Sequence, residues 1–452
     1  MKKESLYKIQ PERITTLEPT KKQSNVLYIM EWDLRIHENY CVQYGCNISY
    51  ENESKFYIRN MFYSRANKCQ EQFQFQGLKE MLGECKAYNI DIGRLKSDNL
   101  SQFIKSESIS HIILEYSPLR EYIRMLDVVR QISKEHEISL IQIDSHNIVP
   151  CKLLTVYKRT PMSVRKCLYR HFVKFQEPFK KLEKHKFNDT REMSKCNLND
   201  LYVDLNKVDS KTLRKNFVGG YTNGNSRLEK FLKQKLIGYT DFRNDPSVDN
   251  LSHLSPWVHS GQLSVQEIIN KTYEYCDNNS IPRSNEDLGT FIGEMFVWRE
   301  TAEHFCRHEK NYDNINGALD WAKDTLKTHE SDKRPAIYTL KQLEDSKTED
   351  NLWNAAQTEM VITGKMHGYL RMYWAKQIPK WTEKAEDAIK FANHLNDKYS
   401  LDGNDPNGYL GVMWSICGSM DRGFAEREIT GKVRPMTRVR NGGDYIKKWK
   451  QR

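Results

Sequence analysis

The chain has 452 residues, of which 38% are hydrophobic and 29% are charged, and its formal net charge is +10. This length exceeds one ordinary hydrophobic core and predicts two or three domains, while no apolar run approaches the ~20 residues that a membrane-spanning helix needs. The modest basic excess is compatible with a nucleic-acid partner but does not identify one.

Residues 1–23 are polar and basic and contain no extended apolar segment. This composition predicts a flexible basic arm and not a secretory signal. The ten cysteines lack the spacing of a metal knuckle, so we expect reduced thiols and no metal site. These features predict an intracellular protein, in the nucleus or the cytoplasm.

Residues 24–150 alternate short apolar runs with amphipathic segments. The apolar runs are VLYIM (26–30), KFYIRNMF (55–62), HIILEYS (111–117) and SLIQID (139–144). Runs of this length between helical patterns predict a parallel, doubly wound α/β domain. No GxGxxG or P-loop pattern is present, so the sequence does not indicate nucleotide binding in this domain.

The pattern changes after residue 150. Residues 151–215 are first basic and aromatic and then rich in Asn, Asp and Lys, which predicts a partly helical connector on the protein surface. From 216 to 452, apolar residues recur at spacings of three and four, as in SVQEIINKTYEYC and AEDAIKFANHLNDKY. This period predicts an all-α second domain.

Two turn-rich segments of the second domain could meet a ligand. In HLSPWVHSGQLS (253–264), Ser255 followed by Pro256 predicts a helix start, which is either an ordinary cap or a phosphate site. In DGNDPNG (402–408), calcium is excluded because position 413 is Met where an EF-hand needs Glu. Asp402 could instead accept an N–H from a heterocyclic ring.

The segment GEMFVWRE (293–300) places Glu294 and Trp298 four residues apart, on one face of a predicted helix. A carboxyl group beside an indole suits a pocket for a planar, amide-bearing ring. A buried Trp beside a surface Glu would explain the same pair.

Three tryptophans lie in LWNAAQTEMVITGKMHGYLRMYWAKQIPKW (352–381), namely Trp353, Trp374 and Trp381. Packing explains such residues in a core, and electron transfer beside a cofactor explains them equally well. Pro379 predicts that the helix kinks or ends before Trp381.

The order of these motifs resembles the class II cyclobutane pyrimidine dimer (CPD) photolyases of the photolyase and cryptochrome family. The resemblance covers about 24–440 and is most specific from 252 to 436, through WNAAQxEMxxxGKMHGYxRMYWAK and LNDKYxLDGxDPNGYxGxMWSICG. It implies a Rossmann-like α/β antenna domain followed by an all-α domain that holds FAD. The implied reaction is light-driven repair of pyrimidine dimers in UV-damaged DNA, by electron transfer from reduced, anionic FAD.

The resemblance also implies which residues hold the cofactor. Arg371 matches the cation beside the flavin, Asn396 matches the residue that faces flavin N5, and Asp402 matches the carboxylate near the pyrimidine edge of the ring. The full implied set is Tyr221, Ser252, His253, Leu254, Ser255, Gln262, Arg371, Asn396, Asp402 and Gly403.

For the substrate, the resemblance implies a dimer that is flipped out of the duplex, a step established for photolyases. Trp298 and Trp414 match the apolar walls of the dimer pocket, and Glu294 matches a hydrogen-bond partner of the thymine edge. Arg422 and Arg434 match positions at the DNA backbone. We interpret the basic segment that follows them as a further phosphate-contact surface.

The three tryptophans gain a role from the same resemblance. Trp374 is expected next to the flavin and Trp353 after it, with Trp381 as a further member or a branch. Tyr338 is expected to be the terminal donor. These residues would return oxidised FAD to its active, reduced state.

Two segments depart from the family pattern. MEWDLRIHENY (30–40) replaces the usual Ser-Arg-Asp start of the antenna domain. A deazaflavin or another antenna pigment is therefore compatible with the sequence but is not predicted by it. Phe424 stands where many relatives have Trp, which predicts a changed stacking contact on the DNA side.

Three other functions stay open at this point. A cryptochrome-like blue-light sensor would share the fold and FAD without repair activity, but the presence of Glu294, Trp298 and Trp414 favours repair. A (6-4) photoproduct photolyase would need paired active-site histidines, and only His367 lies in the core motif. A helical nucleic-acid-binding protein without flavin would be colourless. We expect a monomer that binds DNA and no membrane.

Overall fold

The computed structural model describes residues 5–61, 67–189, 216–436, 439 and 442–450. Its N-terminal part is a six-stranded sheet of β1 Ile14–Glu18, β2 Asn25–Met30, β3 Phe56–Asn60, β4 Asp91–Arg94, β5 Ile109–Glu115 and β6 Ser139–Ile143. The strand order is β1-β6-β5-β2-β3-β4. Only β1 runs antiparallel to its neighbour, and every other described pair is parallel.

Strand β2 is buried on both faces of this sheet. Val26 and Tyr28 pack into one apolar cluster, and Leu27 and Ile29 pack into the cluster on the other side. Helices α1 Tyr40–Glu51 and α2 Lys68–Ala87 cover the first side, while α3 Leu100–Ser106 and α4 Arg120–Glu135 cover the second. Burial on both faces explains why this strand reads as a continuous apolar run. The predicted doubly wound α/β domain is confirmed.

The prediction of a flexible arm over residues 1–23 is wrong for the residues that the structure describes. Ile14–Glu18 forms the edge strand β1, and Arg13 before it is 1% exposed. The Arg13 guanidinium donates to the carbonyl oxygens of Asn147 and Ile148, at 2.7 Å each, and its carbon lies 4.1 Å from the centroid of the Tyr40 ring. A basic residue that looked solvated therefore ties the first strand to the segment after β6.

Arg13→Ala should lower the free energy of unfolding by about 3 kcal/mol, because it leaves buried carbonyl groups without their charged donor. Urea unfolding at neutral pH measures this loss. Arg130→Ala is the matched control, since Arg130 is an exposed arginine that pairs with Glu18, and it should change the unfolding free energy little. Equal effects of the two substitutions would contradict the anchoring role of Arg13.

The second half of the described chain is helical, as predicted. Its helices are α5 Pro161–Phe175, α6 Tyr221–Gln234, α7 Tyr239–Phe242, α8 Ser255–His259, α9 Val265–Asn278, α10 Glu286–Ile292, α11 Arg299–His308, α12 Asp320–Thr328, α13 Leu340–Glu344, α14 Asn351–Thr363, α15 Gly368–Gln377, α16 Ala385–Tyr399, α17 Pro406–Cys417 and α18 Gly442–Lys450. One apolar cluster contains Trp353 and Trp374, and a second contains Trp257 and Phe291. The all-α domain is thus built on two cores.

The predicted connector is partly helical where the structure describes it, over Pro161–Phe175, and residues 176–189 form no helix. Val164, Leu168 and Phe172 of α5 are buried in the cluster around Trp257, while Arg165 and Arg170 are exposed. Residues 190–215 of the connector lie outside the described residues. The boundaries predicted for the arm, connector and domains remain predictions.

Helix α18 docks on α14, which changes the interpretation of the basic C-terminal segment. Tyr445 and Trp449 are buried, and the Tyr445 hydroxyl donates to Glu359 Oε2 at 2.5 Å. Lys447 and Lys448 face the solvent. Only the outer face of this helix can therefore contact phosphates. None of the described helices is long and apolar enough to cross a membrane.

Candidate functional site

A buried ion cluster joins three elements of the helical domain. Asp402 follows α16, and its carboxylate accepts from Lys365 Nζ at 2.5 Å and from Arg371 Nη2 at 3.0 Å. Lys365 also donates to the hydroxyl of Ser255 on α8. Burial alone would raise the pKa of Asp402, but Arg371 and Lys365 hold it well below its usual range. The cluster therefore keeps a carboxylate ionised inside the protein.

Several polar atoms around this cluster are buried and have no partner within the described residues. They are Nε of Arg371, both ring nitrogens of His367 and Nε2 of Gln357. Burial lowers the pKa of His367 to about 4, so its imidazole is neutral. Buried donors without partners are rare in proteins and indicate bound water or a ligand. Arg371 Nε and Gln357 Nε2 are donors, and the neutral imidazole offers one donor and one acceptor, so the set suits a polar ligand.

A cavity of about 280 Å³ is lined by Ser252 together with Arg227, Lys230, Lys235 and Asp249, whose carboxylate pairs with Lys235 at 2.9 Å. Its cations suit a phosphate group. His253 follows Ser252 with φ of 55° and shares a hydrogen bond of 2.6 Å with Asp249. The segment predicted for cofactor contacts therefore lies at a basic cavity.

Two details differ from the sequence prediction for this segment. Ser255 is the first residue of α8 and not its N-cap, which is Leu254, and Pro256 is the second helical residue. The Ser255 hydroxyl instead accepts a hydrogen bond from Lys365. His253 is also close enough to His367 to lower its pKa.

Asn396 and Gly403 lie beside the ion cluster. A Cβ atom at Gly403 would come within 2.9 Å of the Asn396 carbonyl oxygen, and one at Gly408 within 2.8 Å of Asn396 Nδ2. The Asn396 amide donates to Asp397 at 3.0 Å and accepts from the Ser400 hydroxyl at 3.3 Å. These two glycines permit the close packing that fixes the Asn396 side chain.

Tyr221 and Gln262 are the predicted cofactor residues that the structure does not bring into the cluster. The Tyr221 hydroxyl donates to Glu267 and accepts from Lys271. Gln262 accepts from the Gly220 amide at 2.5 Å and donates to the Phe73 carbonyl at 3.2 Å. Tyr221 thus ties α6 to α9, and Gln262 ties the start of α6 to α2.

Glu294 and Trp298 lie in a π-helical turn, Gly293–Trp298, between α10 and α11. Such turns occur often at functional sites. Trp298 is half-buried and its ring centroid lies 5.8 Å from that of Trp414 on α17, at an interplanar angle of 52°. The two indoles form one wall, and Glu294 lies four residues before Trp298 in the same π-helical turn.

Arg243, just after α7, is a functional candidate that the sequence did not reveal. Its Nη2 lies 2.6 Å from Glu294 Oε1. Burial raises the pKa of Glu294, although Arg243 acts in the opposite direction. A partly buried carboxylate is stabilised by a neighbouring cation, but nothing in the sequence spacing pointed to this one.

The predicted DNA-side arginines lie in the loop after α17. Arg422 and Arg434 are exposed, and the Arg434 guanidinium carbon lies 5.8 Å from the Phe424 ring centroid. The loop closes on itself through a hydrogen bond from the Phe424 amide to the Lys432 carbonyl oxygen, at 2.8 Å. Phe424 thus presents a cation-backed aromatic ring at the surface.

The three tryptophans form a continuous series. Trp374 and Trp353 are stacked with centroids 6.0 Å apart, and Trp353 meets Trp381 edge-on at 5.5 Å. Tyr338 lies 5.6 Å beyond Trp381 and is half-buried. The helix α15 ends at Gln377 and gives way to a 3₁₀ turn, Ile378–Trp381. The break predicted from Pro379 is present, and it turns Trp381 towards Trp353.

Arg371 and Trp374 are three residues apart on α15 and so lie on one helical face. The Trp374 indole donates to Gln357 Oε1 at 3.0 Å, and Gln357 Nε2 is one of the buried donors without a partner. The inner end of the tryptophan series therefore lies one helical turn from Arg371 of the ion cluster. Within the described residues, no group of three or more His, Cys, Asp or Glu side chains could hold a metal ion.

Comparisons with known proteins agree with this arrangement. The family model described as DNA photolyase matches residues 26–184. Deoxyribodipyrimidine photo-lyase of Potorous tridactylus is 36% identical over 419 residues, which cover 91% of this chain and 77% of the relative. Deoxyribodipyrimidine photo-lyase of Arabidopsis thaliana is 34% identical over 463 residues, 96% of this chain and 90% of the relative.

Two solved structures share the fold. A cryptochrome of Synechocystis superposes with a TM-score of 0.71 at 13% identity, over 96% of this chain and 87% of that one. A class III photolyase of Agrobacterium tumefaciens gives a TM-score of 0.71 at 16% identity, over 96% and 88% of the two chains. Together with the similarity to the Potorous and Arabidopsis enzymes, these findings show that the chain belongs to the DNA photolyase family.

Proposed function

We propose that this protein repairs cyclobutane pyrimidine dimers in DNA by a light-driven electron transfer that depends on FAD. The observation that carries the proposal is the tryptophan series, which leads from the buried ion cluster towards the half-buried Tyr338. A helical nucleic-acid-binding protein without a redox cofactor has no use for such a series. The names of the Potorous and Arabidopsis relatives support the same function.

The residues around Asp402 fit FAD. Reduced FAD, when bound, supplies the photoexcited electron that splits the cyclobutane ring. Arg371 and Lys365 supply positive charge that would stabilise an anionic flavin, and Asp402 orients both cations. The basic cavity beside Ser252 would hold the phosphates. Asn396, packed against Gly403 and Gly408, would face the ring from α16.

The wall of Trp298 and Trp414 suits a flipped pyrimidine dimer, because aromatic faces stack on flat bases and exclude water. Glu294 would bind the polar edge of the thymine. Burial raises its pKa, and a carboxyl group at this place would be a hydrogen-bond partner for the thymine edge where negative charge develops. Arg243 would then be free to move to a DNA phosphate, since the dimer would replace it beside Glu294.

The tryptophans would act before repair and not during it. Trp374 would pass an electron inwards, and Trp353, Trp381 and Tyr338 would refill it in turn. Each ring is buried or half-buried and within 6.0 Å of the next. The series would therefore restore the reduced cofactor after adventitious oxidation.

We assign no antenna pigment to the α/β domain. The described residues at the carboxyl ends of β2 and β5 include Trp32, Asp33 and Ser117, and they line a cavity of about 40 Å³. That volume accommodates a water molecule or two, so this cavity adds no support for a bound pigment. Light absorption by the flavin is sufficient for the proposed reaction.

Purified protein tests the proposal directly. Denaturation should release FAD, and reduced protein should convert dimer-containing oligonucleotide to intact thymines in blue light and not in the dark. A colourless, correctly folded protein would exclude the flavin chemistry. Flavin release without repair of either the CPD or the (6-4) lesion would instead support a cryptochrome-like sensor.

Glu294→Ala should lower the number of dimers repaired per absorbed photon by roughly tenfold, the scale of one charge-assisted hydrogen bond. The measurement uses fully reduced protein and saturating dimer DNA, so weaker binding of the dimer does not affect the measured repair yield. Glu286→Ala is the control, because Glu286 is an exposed carboxylate eight residues earlier on α10. An unchanged yield in Glu294→Ala would mean that another group stabilises the negative charge.

A further inference from the structure

Lys376 lies on α15, two residues after Trp374, and contacts two other elements. Its Nζ donates to the Ser415 carbonyl oxygen at 2.9 Å and to the Arg434 carbonyl oxygen at 2.8 Å. Ser415 belongs to the last turn of α17, one residue after Trp414. Arg434 belongs to the loop after α17, residues 418–436, which we call the DNA-side loop. One ammonium group therefore connects the Trp374 helix, the dimer-pocket wall and the DNA-side loop.

The chemistry of this contact is specific to a cation. The last carbonyl groups of a helix lack partners within the helix and lie at the negative end of its dipole, so they attract a lysine. Lys376 has no carboxylate within ion-pair distance among the described residues, and backbone oxygens take that place. A neighbouring amide adds a second tie, because Gln377 Nε2 donates to the Met436 carbonyl at 3.1 Å.

The contact also determines where the functional side chains of the loop point. Within the described loop, Phe424 pairs with Lys432 and Arg427 with Gly431, so its two arms move together. Arg434 carries its side chain over Phe424, and Lys376 holds the backbone of the same residue. The hydrogen bond to the Arg434 carbonyl therefore sets the positions of the Arg434 side chain and the Phe424 ring relative to Trp414.

We propose that Lys376 is a positioning residue for lesion recognition: it holds the DNA-side loop against the end of α17, so that Arg434 and Phe424 stand at a set distance from the Trp414 wall. This inference rests on the proposed repair function and deepens it. Lys376 contacts neither the dimer nor the cofactor in this scheme. Its effect passes through the backbone of Arg434.

The titration of Lys376 supplies an independent signature. The pKa of Lys376 is lowered to about 8, chiefly by burial. Two charged groups of the DNA-side loop act in opposite directions, since Asp421 raises this pKa and Arg434 lowers it. Cys417 of α17 also raises it. The charged form makes the stronger hydrogen bonds to carbonyl oxygens. The affinity for dimer DNA should therefore weaken as the pH rises through about 8. This pH dependence should be absent from a variant that lacks the lysine amine.

The experiment compares Lys376→Met, Lys376→Arg and Lys398→Met in full-length, FAD-loaded protein. Methionine keeps the apolar stem and removes the charge and donors, whereas arginine keeps both. Lys398 is the control, since it is a partly exposed lysine that pairs with Glu344 on another face of the helical domain. Affinity for dimer and undamaged DNA is measured from pH 6.5 to 9, and trypsin cleavage within residues 421–434 reports the order of the loop.

Lys376→Met should weaken dimer binding about tenfold, lose the pH component and speed cleavage of the loop, while photoreduction of the flavin stays as in the unaltered protein. Lys376→Arg should recover most of the affinity. Unchanged dimer affinity in folded Lys376→Met, or equal losses in Lys398→Met, would overturn the proposal. If the unaltered protein does not prefer dimer DNA at all, the repair function fails, and the cleavage rates still decide whether Lys376 holds the loop.

Discussion

Asp402→Ala should lower the free energy of unfolding by about 3–5 kcal/mol and abolish retention of FAD. The substitution removes the one carboxylate that pairs with both Lys365 and Arg371 in the described part of the chain. Two cations would then remain buried without a counter-charge, which is the costly way to break a buried ion pair. The loss should appear even in protein without cofactor, because the ion cluster exists in the polypeptide itself.

Urea unfolding and the flavin content of the purified protein measure the two effects. Asp402→Asn keeps the shape and separates loss of charge from loss of packing. Asp320→Ala is the control, since Asp320 is an exposed aspartate that pairs with Lys323. A fully stable, FAD-loaded Asp402→Ala protein would show that the two cations find another partner.

The pH dependence of stability gives a further check on the same group. The pKa of Asp402 in the folded protein is lower than its ordinary value of about 3.9. Its contribution is therefore fully present above about pH 4 and is lost as the pH falls through the lower, folded value. The unaltered protein should lose this component of stability on acidification below pH 4, and Asp402→Asn should not show it.

The strands of the α/β domain were predictable in proportion to their burial. β2, β5 and β6 are central and apolar, so their runs stood out, and the predicted run 55–62 is observed as Phe56–Asn60, with residue 62 outside the described residues. The edge strands β1 and β4 were missed. ITTLE is partly exposed and DIGR has four residues, so neither carries the apolar run that marks a buried strand.

Contacts within one element could be predicted, whereas contacts between elements could not. Glu294 and Trp298 were placed on one face from their spacing, and the structure keeps them together although the turn is π-helical. The pairing of Arg243 with Glu294 and of Lys376 with Arg434 joins residues 51 and 58 positions apart. No local period encodes such pairs, because they depend on how the helices pack.

The tryptophan series likewise combines features that the sequence predicted with contacts between elements that it did not. The sequence placed Trp374 and Trp353 in neighbouring helical segments, and Pro379 announced the break before Trp381. Whether Trp381 follows Trp353 or branches from Trp374 depended on the direction of the chain after that break. The structure gives an edge-on contact of 5.5 Å between Trp353 and Trp381. Trp353 is therefore the middle member, which the sequence had left open.

Trp353→Phe should remove most photoreduction of oxidised FAD and leave repair by chemically reduced protein unchanged. Trp353 is stacked on Trp374 on one side and meets Trp381 on the other, so it is the link between the inner indole and the two outer rings. A phenyl ring is much harder to oxidise than an indole, and the substitution therefore interrupts transfer without emptying the site. It also removes the hydrogen bond from the indole to the Trp374 carbonyl, at 2.9 Å, which should cost about 1 kcal/mol of stability.

The test records the rate of flavin reduction in blue light with an external reductant, followed by repair yield after chemical reduction. Trp321→Phe is the control, since Trp321 packs against the same core but lies outside the series. A normal rate of photoreduction in Trp353→Phe would mean that electrons reach Trp374 by a path that avoids Trp381 and Tyr338. A low repair yield in the chemically reduced variant would mean that Trp353 also orders the pocket, because repair itself does not need the series once the cofactor is reduced.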